Sequence, residues 1–166
     1  MVRQVLTLIG NNSNRFTGIL NGNGHKITGL WASRYNFNET GLFDSIANAT
    51  IKNLGVEIAE SKELNGFGQV GAIAGIARNS SISNSYTAGN ISDNVYIGGI
   101  IERLAFSSNI TNSYSTANII TMTRYWFGGI AGEIYDTHIT NSYSLGNVSG
   151  DDDWAGGITG YICGAL

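Results

Sequence analysis

Apolar positions in this chain fall into short recurring phrases, not into the long stripes of amphipathic helices. Ile82-Ser83-Asn84-Ser85-Tyr86-Thr87 returns as Ile110-Thr111-Asn112-Ser113-Tyr114-Ser115 and again as Ile139-Thr140-Asn141-Ser142-Tyr143-Ser144, at intervals of 28 and 29 residues. Each copy is followed by an Asn-aliphatic pair: Asn90-Ile91, Asn118-Ile119 and Asn147-Val148. A second phrase is centred on glycine: Thr40-Gly41-Leu42-Phe43, Val70-Gly71-Ala72-Ile73, Ile97-Gly98-Gly99-Ile100, Phe127-Gly128-Gly129-Ile130 and Ala155-Gly156-Gly157-Ile158. The two phrases alternate with one period, so each repeat contributes one of each. A period between about 20 and 50 residues signals stacked repeat architecture. No capped amphipathic segment of helical length is present. The chain has 23 Gly and no Pro, which suits stacked strands, because every internal strand must donate ladder hydrogen bonds that Pro lacks. The expectation is an all-β fold: one parallel β-solenoid over residues 1–166, with about five to six rungs of about 28 residues. Parallel crossovers are right-handed by general rule.

Aligning the earliest rung, Ile51-Lys52-Asn53-Leu54-Gly55-Val56, with the later ones assigns faces. Leu54 and Val56 have the period-2 spacing of one strand face and point inward. Ser85 and Thr87 are then inward, Asn53, Asn84, Asn112 and Asn141 stand at a corner as a structural amide ladder, and Tyr86, Tyr114 and Tyr143 form an outward column. The rival register places Asn and Tyr inside. Ile97 and Ile100, like Phe127 and Ile130, are three apart, so both point inward only if the chain bends at the paired glycines. That bend makes Tyr96, Trp126 and Trp154 a second outward aromatic column. Arg103 and Glu133 fall in one column of adjacent rungs and are expected to pair across the stack, while Glu102 has no charged neighbour in its own column. Near the N-terminus, Phe16–Leu20 and His25–Trp31 read as strands flanking a tight turn at Asn21–Gly24.

Charged residues are only 13% of the chain, against about 25% in an average domain. The polar surface is therefore built from Asn, Ser, Thr and Gly. A net charge of −3 supplies no basic field for nucleic acid. No run approaches the roughly 20 apolar residues of a membrane span, so no membrane insertion is expected. The opening Met1–Ile9 is too short and strand-like for a signal peptide, and any export signal would lie upstream of this stretch. The single Cys163 has no intramolecular partner and reads as a small buried hydrophobe. His25 and His138 lack metal-site spacing, so neither metal nor cofactor is expected. The Asp151-Asp152-Asp153 run could offer oxygens to a hard cation, although such runs are usually solvated loops. Glu57, Glu60 and Glu63 cluster in one insertion and do not face each other across a groove, as glycoside hydrolysis requires. No catalytic residue is assigned, and the chain is not expected to be an enzyme.

The run Phe16-Thr17-Gly18-Ile19-Leu20-Asn21-Gly22-Asn23-Gly24-His25-Lys26-Ile27-Thr28-Gly29-Leu30, followed by Gly41-Leu42-Phe43, Ile51-Lys52-Asn53-Leu54 and the Gly-Gly-Ile and Asn-Ser-Tyr phrases, resembles the GLUG-motif repeats of bacterial surface proteins. Those include filamentous-haemagglutinin-like adhesins and non-catalytic repeat regions of immunoglobulin A1 proteases. The resemblance extends from about Ile9 to Gly160 and implies a β-solenoid, a bacterial source and an extracellular or cell-surface setting. Asn21 departs from it, since the entry turn of those repeats usually carries Asp. The resemblance implies a non-catalytic structural or adhesion segment of a larger exported protein. A second reading is a carbohydrate-binding module whose ligand residues are Tyr86, Tyr114, Tyr143, Tyr96, Trp126 and Trp154. A third, a polysaccharide-cleaving enzyme, lacks facing carboxylates. Expected partners are host or cell-surface glycans or proteins. The open strand edges at the ends of a solenoid also invite end-to-end self-association.

Overall fold

The structure is a computed structural model and describes residues 8–34, 38–93, 96–121, 125–150 and 154–164. The opening residues as far as Thr7, the Asp151–Asp153 run and the final Ala165-Leu166 lie outside the described residues. Among the described residues every regular element is a strand, and all pairings between them are parallel.

Each rung crosses four sheets that run along the stack, and among the described residues the tyrosine-sheet crossing is split in three rungs by a second short strand, Ala32–Arg34, Leu64–Gly66 or Val148–Ser149. The isoleucine sheet joins Ile19–Asn21, Thr50–Lys52, Ser81–Ser83, Asn109–Thr111 and His138–Thr140. The tyrosine sheet joins Lys26–Leu30, Gly55–Ile58, Tyr86–Asp93, Tyr114–Thr121 and Tyr143–Ser144. A glycine sheet follows, made of Glu39–Thr40, Gln69–Gly71, Tyr96–Gly98, Phe127–Gly128 and Ala155–Gly156. The return sheet closes the rung with Phe43–Ala47, Ala74–Arg78, Ile101–Ala105, Ala131–Tyr135 and Thr159–Cys163. The register Ile51↔Ile82↔Ile110↔Ile139 advances by 31, 28 and 29 residues. The coil thus has about five rungs of 28 to 31 residues, the lower end of the expected count.

The core is a set of aliphatic columns. Ile51, Ile82 and Ile110 are wholly buried, as are Val56, Ile91, Ile97, Ile100, Leu104, Ile119, Phe127 and Ile130. Ile97 with Ile100, and Phe127 with Ile130, do both face inward across the glycine bend. Ser85 and Thr87 are buried with them, which excludes the register that placed Asn and Tyr inside.

The Asn-Ser pair explains how the corner is turned. Asn53, Asn84, Asn112 and Asn141 all have positive φ, between 48° and 53°, the left-handed region that Asn tolerates better than other non-glycine residues. Asn53 Nδ2 donates to Asn21 Oδ1 at 2.9 Å and Asn141 Nδ2 to Asn112 Oδ1 at 3.2 Å. The serine that follows does a different job. Ser85 Oγ accepts the Leu54 amide, Ser113 Oγ the Ser85 amide and Ser142 Oγ the Ser113 amide, at 3.2–3.3 Å. Ser85, Ser113 and Ser142 donate in turn to the carbonyls of Ser83, Thr111 and Thr140. A buried corner that would leave backbone groups unpaired is therefore satisfied from rung to rung. Asn112→Ala is expected to cost about 1–2 kcal/mol, because Ala lacks the short polar side chain by which Asn tolerates left-handed φ. Asn112→Gly should cost less; equal losses in urea unfolding would refute the backbone origin.

Several local expectations shift. Phe16–Leu20 is not one strand: Ile19–Asn21 pairs in the sheet, while Phe16 makes a separate bridge to Ile46 and packs on Phe43. The tight turn holds, with Asn23 and Gly24 at positive φ. His138 lies in a strand, in register with Asn109 of the preceding rung. Cys163 is only half-buried, since the strand that carries it is the last of its sheet.

Candidate functional site

The two aromatic columns differ in geometry. Tyr86, Tyr114 and Tyr143 occupy equivalent positions of adjacent strands. Their rings stack face to face at 5.2 Å, tilted by only 7° and 4°. Such a ladder uses ring faces on neighbouring rings. Its first member is also tied down: the Tyr86 hydroxyl donates to Glu57 Oε1 at 2.9 Å, and Lys26 pairs with the same carboxylate at 3.1 Å. The Lys26 and Tyr86 contacts hold the Glu57 carboxyl below its ordinary pKa, while burial, then the Glu57 bond, raises that of Tyr86. Glu63, from the same insertion, accepts from Ser92 Oγ. These carboxylates serve rung-to-rung contacts.

The second column is built at the arch between the glycine and return sheets. Tyr96, Trp126 and Trp154 each precede the paired positions Ile97, Phe127 and Ala155. Across the arch, Arg103, Glu133 and Tyr161 form one column. The expected cross-stack pair is present, with Arg103 Nε 2.7 Å from Glu133 Oε2. Glu133 is buried; Arg103 is 38% exposed at its side chain. The rings of both columns merge into one band. Tyr125 tilts 59° against Tyr96 at 5.0 Å, Tyr96 tilts 40° against Trp126 at 5.4 Å, Trp126 stacks on Tyr161 at 4.2 Å, and Trp154 meets Tyr161 edge-on at 6.3 Å. Tyr125 and Trp154, at the two ends, are 45% and 49% exposed.

Sequence spacing located Tyr96, Trp126 and Trp154 but not Tyr125 or Tyr161. Tyr161 belongs to another strand of the rung and joins only because the arch folds its sheet beside the glycine sheet. Neighbouring Cys163, by charge and hydrogen bond, raises the Tyr161 pKa. Burial is the main cause of the raised pKa of Tyr96.

Beneath the band lies Glu102, wholly buried, with neither carboxylate oxygen hydrogen-bonded. Its neighbours along the return sheet are Gly75 and Gly132, where a Cβ would stand 3.0 Å from the Gln69 carbonyl and 2.8 Å from the Ile97 carbonyl. The column thus runs almost against the glycine-sheet backbone, and Glu102 is a long polar side chain sealed into that seam. Burial first, then the Glu133 charge, drives its pKa well above the carboxylate range; Arg103 opposes. Among the described residues no group of three His, Cys, Asp or Glu side chains could hold a metal ion, and no helix is long and apolar enough to cross a membrane.

No family model matches the chain. It is 37% identical over 87 residues to halomucin of Haloquadratum walsbyi, an alignment covering 52% of this chain and 1% of that protein. It is 49% identical over 47 residues to a protein of Evansella cellulosilytica named as a Gly-rich membrane protein, covering 28% of this chain and 5% of the other. The chain thus spans only a small fraction of the length of either relative.

Proposed function

We propose that this chain is a non-catalytic structural and adhesive segment of an exported, surface-associated protein. The observation that carries the reading is the parallel register kept along all four sheets, broken only by a shift between Thr28 and Leu30 among the described residues, which makes the chain a rod with polar and aromatic positions repeated along its faces. Length and repetition are properties a spacer needs, and stacked repeats supply extended binding surfaces. The similarity to parts of two much longer proteins, one named as a membrane protein, and the resemblance to GLUG-motif repeats support a surface setting. A bacterial or other prokaryotic cell surface is the corresponding location.

Beads coated with the chain should be retained under flow on a lawn of bacterial cells, and beads coated with an unrelated β-protein of equal charge should wash off. Equal retention of the two would sink the adhesive part.

A further inference from the structure

We propose that the aromatic band at the arch is a binding platform for an extended, neutral, β-1,4-linked polysaccharide lying along the stack axis. The proposal rests on the adhesive reading above and names the ligand class. Two observations select this surface over the tyrosine ladder, and a third bears on how the ligand lies on it. Face-to-face stacking of Tyr86, Tyr114 and Tyr143 covers ring faces, whereas the tilts of 59° at Tyr125 and 63° at Trp154 turn these rings out of the stack. Those two rings are also about half exposed and lie at opposite ends of one continuous five-ring band.

The second observation is polar. The Arg103 side chain is 38% exposed and its charge acts on Tyr96, while Glu133 holds its Nε at 2.7 Å. Its remaining N–H groups can donate to hydroxyl oxygens, and the anchor holds them in place before the ligand arrives. A sugar ring offers that combination, with an apolar C–H face to lie on an aromatic ring and hydroxyls around its rim.

The third is the repeat. Rungs are spaced about 4.8 Å apart, close to the advance of one pyranose ring in an extended β-linked chain. A polymer running along the axis therefore advances by about one rung per sugar and meets a successive member of the band at each. A protein partner would instead favour a pocket enclosing a buried anchor, whereas the end rings of this band, Tyr125 and Trp154, are about half exposed.

The test is affinity gel electrophoresis of the intact chain through hydroxyethylcellulose, with titration by cellohexaose and chitohexaose. Wild type should be retarded by the polymer and bind at least one hexasaccharide. Trp154→Ala and Tyr125→Ala should each weaken binding about tenfold, with thermal unfolding unchanged because both rings are half exposed. Tyr143→Ala, at the exposed end of the ladder, should leave binding as it was. Absence of retardation together with no hexasaccharide binding overturns the proposal, as does binding that survives Trp154→Ala and Tyr125→Ala unchanged. Cell-surface retention of coated beads without polysaccharide binding removes this platform alone. Polysaccharide binding without bead retention removes the adhesive reading alone.

Discussion

Gly98→Ala is expected to destabilise the coil by about 3 kcal/mol or more, at the upper end of what overpacking costs. The arch is so tight that a Cβ on Gly98 would stand 1.7 Å from the Ile101 carbonyl oxygen and 2.8 Å from the Gly132 amide nitrogen. Both obstacles are backbone, so no side-chain rotation relieves them. The same clash recurs at Gly128, 2.1 Å from the Ala131 oxygen, and at Gly156, 1.8 Å from the Thr159 oxygen. The internal control is Gly157→Ala, where nothing lies within 4 Å of the added carbon. That variant should unfold in urea within about 0.5 kcal/mol of wild type. Equal behaviour of Gly98→Ala and Gly157→Ala would mean that the arch is wider than described.

Stability should fall as pH rises from about 4.5 into the neutral range, and Glu102→Gln should remove most of that fall. In the folded chain Glu102 keeps its proton, because burial and the neighbouring Glu133 charge disfavour the anion more than Arg103 favours it. Glu39 adds to the same field, and the Glu102 charge would in turn raise the pKa of Tyr96. The unfolded chain loses that proton near pH 4.3. The folded pKa being the higher, the contribution of this group is complete below the unfolded value. It is then lost with rising pH until the folded value is reached. Each pH unit in that window is worth up to about 1.4 kcal/mol. Asp44 adds in the same direction, since burial raises its pKa despite the hydrogen bonds from Arg34 at 2.6 and 2.8 Å. Chemical unfolding of wild type and Glu102→Gln at pH 4.5 and 7.5 measures the effect. Parallel losses in the two proteins would show that Glu102 is ionised in the fold.

The solenoid was legible because a stacked fold writes its columns into the sequence as repeats: the period of Ile82, Ile110 and Ile139 is the length of a rung. The Arg103–Glu133 pair was legible for the same reason, both residues standing at one position of the repeat. Contacts between different strands of a rung leave no such trace. Nothing in the spacing places Tyr161 under Trp126, because their meeting depends on how sharply the glycines bend the chain. Glu102 misleads for a related reason. A charged residue in a strand ordinarily marks a solvated position, and only the near-contact of two backbones shows that this one is sealed. The corner asparagines were legible by position, but their positive φ and the serine bonds beside them depend on backbone geometry that the sequence does not display.

The in-register stack is tested most directly by distances along one column. Ile19, Thr50, Ser81, Asn109 and His138 occupy equivalent positions of successive rungs, and Ile19 and His138 are exposed. With Cys163→Ser as background, spin labels at Ile19→Cys and His138→Cys should give an electron-spin distance centred near 19 Å, four inter-rung steps of about 4.8 Å each. Moving the second label to Asn109→Cys should shorten it by about 5 Å, one step. Distances that are broad, or that do not change by one step between the two pairs, would contradict the solenoid.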